Sequence, residues 1–174
     1  MEARPRLVGG NLGLDLVNTL DDEIPGGDYL RTDADVAVWL DHVGLGGTAR
    51  LADVRRARSA IDAALRPLAV GDEPDMAPLA ALYAHATARA VLRPGGFEWR
   101  TPVDALVASA AELIAAGPLD RLRICDNCPW LFLDLSRNGS RRWCSMEGCG
   151  SQVKSRRLTE RRREARRHGQ AGVR

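Results

Sequence analysis

Apolar residues in the first two thirds of the chain recur every three or four positions, the period of a helix that buries one face. Residues 11–22 place four of them on one such face: Leu12, Leu16, Val17 and Leu20. Asn18 and Thr19 lie beside that face, and we interpret them as polar groups satisfied within the fold rather than as ligands. A loop should follow over residues 23–31, which combine proline with glycine.

The second helix carries a start signal. Thr32 is a favoured N-cap residue, and Asp35 lies three positions later, where its carboxylate completes a capping box. Four apolar residues then form the buried stripe: Val36, Trp39, Leu40 and Val43. The glycine-rich segment at residues 44–47 ends the helix.

A longer third helix should run from Thr48, as its N-cap, to about Arg66, because Pro67 interrupts the pattern. Its inward residues are Leu51, Val54, Ile61 and Leu65. The arginines between them are most simply interpreted as a solvated face: Arg55, Arg56 and Arg58.

Two more helices complete the apolar pattern. One should begin at Asp75 and continue to Leu92, and the other should begin near Pro102 and end at Gly117. A short hairpin over residues 93–102 should link them. Five amphipathic helices with short connections predict an all-helical bundle.

Short apolar and aromatic runs replace the helical pattern after residue 118. Three of them suit strands: RLRIC, WLFLDL and RRWC. Asn138-Gly139 is the commonest pair for a tight hairpin turn, and a helix should follow Cys149. The prediction is therefore a mainly α protein. A helical bundle over residues 1–118 precedes a small treble-clef-like module over residues 119–174, made of a short β-hairpin and a basic C-terminal helix.

All four cysteines fall in this second region, in the spacing C-x2-C-x15-C-x4-C. They are Cys125, Cys128, Cys144 and Cys149. Two thiolate pairs separated by a loop can close a tetrahedral coordination sphere, so we predict one structural zinc ion. A disulfide framework is the alternative. It is disfavoured because the cysteines cluster in one short segment and the N-terminal residues do not resemble a secretory signal.

Charge divides the chain at the same place. Residues 1–120 hold 11 basic and 18 acidic residues, whereas residues 121–174 hold 14 basic and 5 acidic residues, which gives net charges of −7 and +9. A clustered, arginine-rich excess of positive charge is typical of a surface that binds a polyanion. The alternative is internal, with the acidic half docking against the basic half.

The polar and basic residues of the second region are the candidate nucleic-acid contacts. They are Arg137, Arg141, Arg142, Gln152, Lys154, Arg156, Arg157, Arg161 and Arg162, and the basic helix continues with Arg163, Arg166 and Arg167. Guanidinium forks suit phosphate oxygens. Two alternatives stay open. Arg141 and Arg142 could instead neutralise the zinc–thiolate centre, and the last helix could be a solvated basic tail.

Three aromatic residues near the cysteines present a similar choice: Trp130, Phe132 and Trp143. Aromatic side chains can stack on unpaired bases. In so small a module they are better explained as the hydrophobic core around the metal.

Two stretches resemble known domain families. The run from Phe132 to Gly150, with SRNGSRRWC at its centre, is similar to the CGNR zinc finger. The stretch GLDLVNTL, with DYL and WL after it, resembles the helical ABATE domain found upstream of that finger in bacterial proteins. The resemblance implies a stress-induced transcription regulator whose finger binds DNA. Where the CGNR signature has Asn-Arg, this chain has Ser151-Gln152, and glutamine can still hydrogen-bond a base edge.

We therefore expect a zinc-containing, DNA-binding transcriptional regulator of the cytoplasm, whose helical domain senses a small-molecule effector or mediates homodimerisation. RNA or an acidic protein surface is the alternative partner. No stretch approaches the roughly 20 apolar residues of a membrane span. An enzyme is not expected, because four cysteine ligands leave zinc closed to substrate and we find no catalytic residues in the sequence.

Overall fold

The computed structural model describes residues 5–21 and 26–171, the last seven of them by their backbone alone. Within those residues the protein is mainly helical, with two separate two-stranded sheets. The helices are α1 (Leu12–Val17), α2 (Asp33–His42), α3 (Leu51–Val70), α4 (Ala77–Thr87), α5 (Pro102–Ala116) and α6 (Ser151–Ala171). The strands are β1 (Val91–Arg93), β2 (Gly96–Glu98), β3 (Leu122–Ile124) and β4 (Leu131–Leu133). A helical bundle, a hairpin and a C-terminal helix beside the cysteines confirm the predicted fold class.

Helix α1 lies at the centre of the bundle, where it packs against α3, α5 and β4. Its residues Leu14, Leu16 and Val17 are buried. The helix ends at Val17, so the prediction that it continues to residue 22 was wrong. Leu20 instead forms a β-bridge with Asp28, and its side chain is 42% exposed. Asp22, the predicted last residue, lies outside the described part of the chain.

Two helices begin with reciprocal capping boxes. Thr32 accepts the Asp35 N–H, and the Asp35 carboxylate accepts the Thr32 N–H, as predicted for α2. Thr101 and Asp104 make the same pair of hydrogen bonds at the start of α5. Each box satisfies N–H groups that the first turn of a helix leaves unpaired.

Helix α3 corrects two predictions. Thr48 does not cap it, since the N-cap residue is Arg50 and the Leu51 N–H is bound by the Asp33 carboxylate of α2 (2.7 Å). The helix also passes through Pro67 and ends at Val70, followed by the C-cap residue Gly71, which has a φ of 82°. A proline inside a helix leaves one carbonyl without its donor. Here the carbonyl of Ala63 accepts the Asp75 N–H (3.3 Å) from the chain that follows the helix.

The arginines of α3 do not all lie on a solvated face, as was predicted. Arg58 is 5% exposed, and its guanidinium binds both carboxylate oxygens of Asp28 (2.8 and 2.7 Å) and the Thr19 hydroxyl (2.7 Å). Arg55 is half-exposed and also reaches Asp28 (3.2 Å). Although burial opposes it, hydrogen bonding by Arg58 holds the pKa of Asp28 below its ordinary value.

Helix α4 ends at Thr87 rather than at Leu92, because residues 91–98 form the hairpin of β1 and β2. This is the hairpin predicted between the last two helices of the bundle. All six residues of its strands are exposed. Its aromatic side chains continue a row that begins on α4, with Trp99 lying between Tyr83 and Phe97.

The second sheet differs from the predicted hairpin. Strands β3 and β4 pair with each other, with Leu122 opposite Leu133 and Ile124 opposite Leu131. The turn between them is therefore the segment that carries the first two cysteines, and not Asn138-Gly139. The sequence RRWC is irregular. Asn138 and Gly139 do lie in a turn, but the residues on either side of that turn are not in strands.

The hydrophobic core runs across the boundary between the two regions. Leu122, Leu131 and Leu133 belong to the same cluster of buried residues as the helices of the bundle. The zinc-binding region thus shares a hydrophobic core with the bundle and is packed directly against it. None of the described helices combines the length and the apolar character that a bilayer span requires.

Candidate metal centre and nucleic-acid interface

The four cysteine sulfur atoms converge on one point, and all lie within 4.8 Å of one another. Sγ of Cys128 is 3.7 Å from that of Cys144 and 3.5 Å from that of Cys149, and the last two are 3.6 Å apart. A disulfide bond would be about 2.05 Å long. Four sulfur atoms bound to zinc at about 2.3 Å lie about 3.8 Å apart, which these separations approach.

Different local structures hold the two pairs of cysteines. The Cys125 N–H donates to the Trp130 carbonyl (2.9 Å) and so closes the turn that carries Cys128. Cys149 lies in a single π-helical turn, Met146–Gly150, which leads directly into α6. The Ser145 hydroxyl caps that turn by accepting the Gly148 N–H (3.2 Å). The fourth cysteine, Cys149, therefore lies at the start of α6, as predicted.

Hydrogen bonds among the sulfur atoms determine where protons reside. Bonds from Cys128 and Cys144 lower the pKa of Cys125. The bond to Cys125 raises the pKa of Cys128 to about 12, and it also raises the pKa of Cys144. Backbone N–H groups add to this, since that of Asn127 lies 3.5 Å from Cys125 Sγ. A metal ion that binds all four sulfur atoms must displace the protons that these thiols carry, including those of Cys128 and Cys144.

A small second hydrophobic core surrounds the sulfur atoms. Phe132 is fully buried and Trp130 is 8% exposed, while Val8, Tyr29 and Trp143 pack against the cluster. The Trp130 Nε1–H donates to the Leu20 carbonyl (2.9 Å), which satisfies the indole. These positions agree with the interpretation of the aromatic residues as core around the metal.

The loop between the two cysteine pairs is organised by Asp134, a buried residue. Its carboxylate accepts the backbone N–H groups of Ser136 (3.0 Å) and Arg141 (2.7 Å). Hydrogen bonds from Ser136 and from the Arg141 N–H lower the pKa of Asp134. We did not predict this role from the sequence. An aspartate that binds the N–H two residues later is an Asx turn, so the Asp134–Ser136 spacing was the available signal.

The two arginines before the third cysteine have internal partners. Arg141 donates to the Cys144 carbonyl (2.6 Å), and its guanidinium lies 4.8 Å from the Phe132 ring centroid. Arg142 pairs with Asp126 (2.7 Å) and lies over the Trp143 ring. Arg141 is partly buried, whereas Arg142 is exposed. Their contacts favour the structural alternative for Arg141 and leave Arg142 accessible at the surface.

The comparison with family models agrees with this geometry. Residues 10–117 match ABATE, a family whose description is "Putative stress-induced transcription regulator". The chain belongs to the ABATE family. Residues 121–162 match the CGNR zinc finger, and this match contains all four cysteines. The centre is therefore a structural zinc site of the CGNR type, closed by four thiolates. No curated protein matches the chain.

Hydrogen bonds, as well as the shared hydrophobic core, join the CGNR finger to the ABATE helices. Asn18, the C-cap residue of α1, binds the backbone of Leu131 in β4. Arg66 of α3 donates to the Pro129 carbonyl in the cysteine turn (2.8 Å). We could not assign these partners from the sequence, because each contact joins residues more than sixty positions apart.

Most of the predicted nucleic-acid contacts lie on α6 and are exposed. These are Gln152, Lys154, Arg156, Arg157, Arg161 and Arg162, and Arg163 is also exposed. Arg137 is exposed at the loop tip between the cysteine pairs. Among residues 151–164 only Val153 is partly buried. The side chains of Arg166 and Arg167 lie outside the described part of the chain.

Asn127 is a residue of the finger whose role the sequence pattern did not predict. It lies between the first two cysteines, and its side chain binds both Gln152 and Arg156 of α6. The cysteine turn and the basic helix are thus joined by side chains as well as through the metal. This contact brings together two of the predicted nucleic-acid residues.

Proposed function

We propose that this protein is a zinc-containing transcriptional regulator that binds duplex DNA through α6. The observation that carries the proposal is the exposure of Lys154 and of the α6 arginines up to Arg163, on a helix that begins at the zinc site. Its main neighbour among the described elements is the π-helical turn before it. A helix with so many like charges and few acids is disfavoured alone and is stabilised by a polyanion.

Phosphate contacts supply most of the affinity in this proposal. Arginine forks match phosphate oxygens, and each neutralised phosphate releases condensed counterions. Zinc holds the finger rigid and places the start of α6, and it takes no part in any reaction. We propose no catalytic activity, because four thiolates fill the coordination sphere. The proposed location is the cytoplasm, where thiols stay reduced and free to bind metal.

The ABATE helices take the regulatory role in this proposal, by sensing a ligand or by forming a homodimer. The β1–β2 hairpin supports the second of these, because Leu92 is 72% exposed and Phe97 is 42% exposed. These two residues are opposite each other in the strand register. An exposed apolar hairpin is an unusual feature for a chain that stays alone in water.

The test is a fluorescence anisotropy titration of a labelled duplex with the zinc-loaded, full-length chain at several salt concentrations. If about six phosphates are contacted, log K should fall with log[salt] with a slope of about −5. The combined substitution of Arg157, Arg161 and Arg162 by alanine should bring that slope about three closer to zero. Arg100→Ala, at an exposed site on the bundle, is the matched control and should change nothing.

The proposal would be contradicted if no duplex binding were seen at micromolar protein, or if the binding constant did not change with salt concentration. The alternative partners are structured RNA and an acidic protein surface. Leu158 favours a protein partner to some extent, since this apolar side chain is 50% exposed among the arginines of α6. A complex captured from cells that survives both DNase and RNase would identify a protein partner.

A further inference from the structure

The side chain of Asn127, in the turn between the first two cysteines, contacts the start of α6. Asn127 Nδ2 donates to Gln152 Oε1 (2.8 Å), and Asn127 Oδ1 accepts from Arg156 Nη2. Gln152 and Arg156 are four residues apart, so they lie on the same face of the helix. Both are exposed. Asn127 therefore holds together two neighbouring side chains on the helix proposed to bind DNA.

Arginine chemistry determines the direction of these hydrogen bonds. A guanidinium can only donate, so the Asn127 atom that faces Arg156 must be the oxygen. The amide nitrogen of Asn127 must then face Gln152, and because it can only donate, Gln152 must present its own oxygen to it. The orientation of both amides thus follows from the presence of Arg156, which removes the usual ambiguity between amide oxygen and nitrogen.

The outcome is a pair of side chains that offers mainly donors. The Gln152 oxygen is engaged with Asn127, which leaves its NH2 group as the free end of the amide. Arg156 has further N–H groups and no acceptor. A matching ligand must present two acceptors close together. In the major groove guanine presents N7 and O6, both acceptors, whereas adenine and cytosine each present an amino donor.

We propose that Asn127 is a positioning residue that makes Gln152 and Arg156 a guanine-reading pair. The inference rests on the proposed DNA-binding function and deepens it. A glutamine free to use both ends of its amide pairs well with adenine, through N6 and N7. By occupying the Gln152 oxygen, Asn127 shifts the preference of the helix from adenine towards guanine.

The test uses the full-length, zinc-loaded chain and a library of random duplexes. The parent should select duplexes that contain guanine. Replacing the selected guanine by 7-deazaguanine, which lacks the N7 acceptor, should weaken binding at least about fivefold. Asn127→Asp keeps the acceptor for Arg156 but cannot donate to Gln152. It should lower discrimination of guanine from adenine at one position by about fivefold or more, with zinc content unchanged.

Two further variants separate positioning from general affinity. Asn127→Ala releases both Gln152 and Arg156. It should lower the discrimination of guanine from adenine at the two base positions that these side chains contact. Arg157→Ala is the control on the same helix, and it should weaken selected and scrambled duplexes alike. Gln152→Ala and Arg156→Ala leave the cysteine turn intact, so they test the guanine contacts even if an Asn127 variant loses zinc.

The outcomes distinguish the two proposals. If the parent binds no duplex, the proposed function fails and this inference fails with it. If the parent binds duplex DNA without selecting guanine, or if Asn127→Asp discriminates as the parent does, this inference alone fails. Loss of zinc from the Asn127 variants together with unchanged selectivity of Gln152→Ala and Arg156→Ala would also overturn it.

Discussion

Asn18 and Leu131 bind each other through two hydrogen bonds across 113 positions of the chain. Asn18 Nδ2 donates to the Leu131 carbonyl (2.8 Å), and Asn18 Oδ1 accepts the Leu131 N–H (2.8 Å). Both residues are buried. The side chain of Asn18 thus acts as a one-residue strand alongside β4, and it joins the central helix of the bundle to the zinc-binding hairpin.

Replacing Asn18 by alanine should destabilise the protein by about 2–4 kcal/mol, because it leaves two buried backbone groups of Leu131 without partners. Urea unfolding at neutral pH with zinc present measures the change. Asn138→Ala is the matched control, since Asn138 is exposed on the loop of the finger. A loss below about 0.5 kcal/mol for Asn18→Ala would show that water or a rearranged strand replaces these bonds.

Zinc removal should destabilise the bundle as well as the finger. Leu122, Leu131 and Leu133 lie in the common core, so the finger and the bundle should unfold in one transition. At free zinc a thousandfold above its Kd, a ligand that binds only the folded state contributes about 4 kcal/mol. Thermal unfolding followed by far- and near-ultraviolet circular dichroism, with and without a chelator, measures this effect.

The chelated sample should show one transition at a lower temperature, and added zinc should restore the original one. Cys144→Ser, which removes one buried ligand, should behave like the chelated parent and bind less than one zinc per chain. Two separate transitions, with the second at the temperature of the zinc-loaded protein, would show that the bundle does not depend on the finger.

Replacing Arg58 by methionine should cost about 3–5 kcal/mol, because it removes the buried cationic partner of the Asp28 carboxylate and leaves it the half-exposed Arg55. The matched control is Arg56→Met on the same helix. Arg56 is exposed and pairs with Asp53 across one turn, so its loss should change stability by less than about 1 kcal/mol. Equal effects of the two substitutions in urea unfolding would contradict the role given to Arg58.

The sequence contained the signal that distinguishes Arg58 from its neighbours. Val54, Arg58, Ile61 and Leu65 follow the three-and-four spacing of one buried face. A buried arginine in such a stripe requires a carboxylate partner. The loop before α2 contains several acidic residues that could supply it. What could not be predicted was which of them, Asp28, would come within reach, because that depends on how the loop returns to α3.

Sequence rules for neighbouring residues correctly predicted the features that depend on neighbouring residues. The Thr32–Asp35 box and the clustering of the four cysteines depend on residues whose spacing is set along the chain. Strand pairing and helix length depended on distant partners instead. Pro67 remains inside α3 because the Asp75 N–H replaces the lost donor, and the second hairpin turns at the cysteines because Leu122 and Leu131 are drawn into the bundle core.

Asp15 is a buried carboxyl group on α1 that is bound by backbone N–H groups. Its Oδ1 accepts the Gly9 N–H (2.8 Å), and only 8% of the residue is exposed. Burial raises the pKa of Asp15 to about 6, and hydrogen bonds from Gly9 and Val8 and the nearby His42 only partly offset this effect.

The folded state therefore holds the Asp15 proton more tightly than the unfolded state does. The contribution of Asp15 to stability is largest below about pH 4 and is lost as the pH rises through 6, by about 3 kcal/mol in total. Asp15→Asn keeps an oxygen for the Gly9 N–H but does not ionise, so its stability relative to the parent should rise between pH 4 and pH 7. Urea midpoints of both proteins across that range measure the difference, in which the shared effect of pH on zinc binding cancels. A difference that stays constant with pH would show that Asp15 ionises as readily in the folded chain as in the unfolded one.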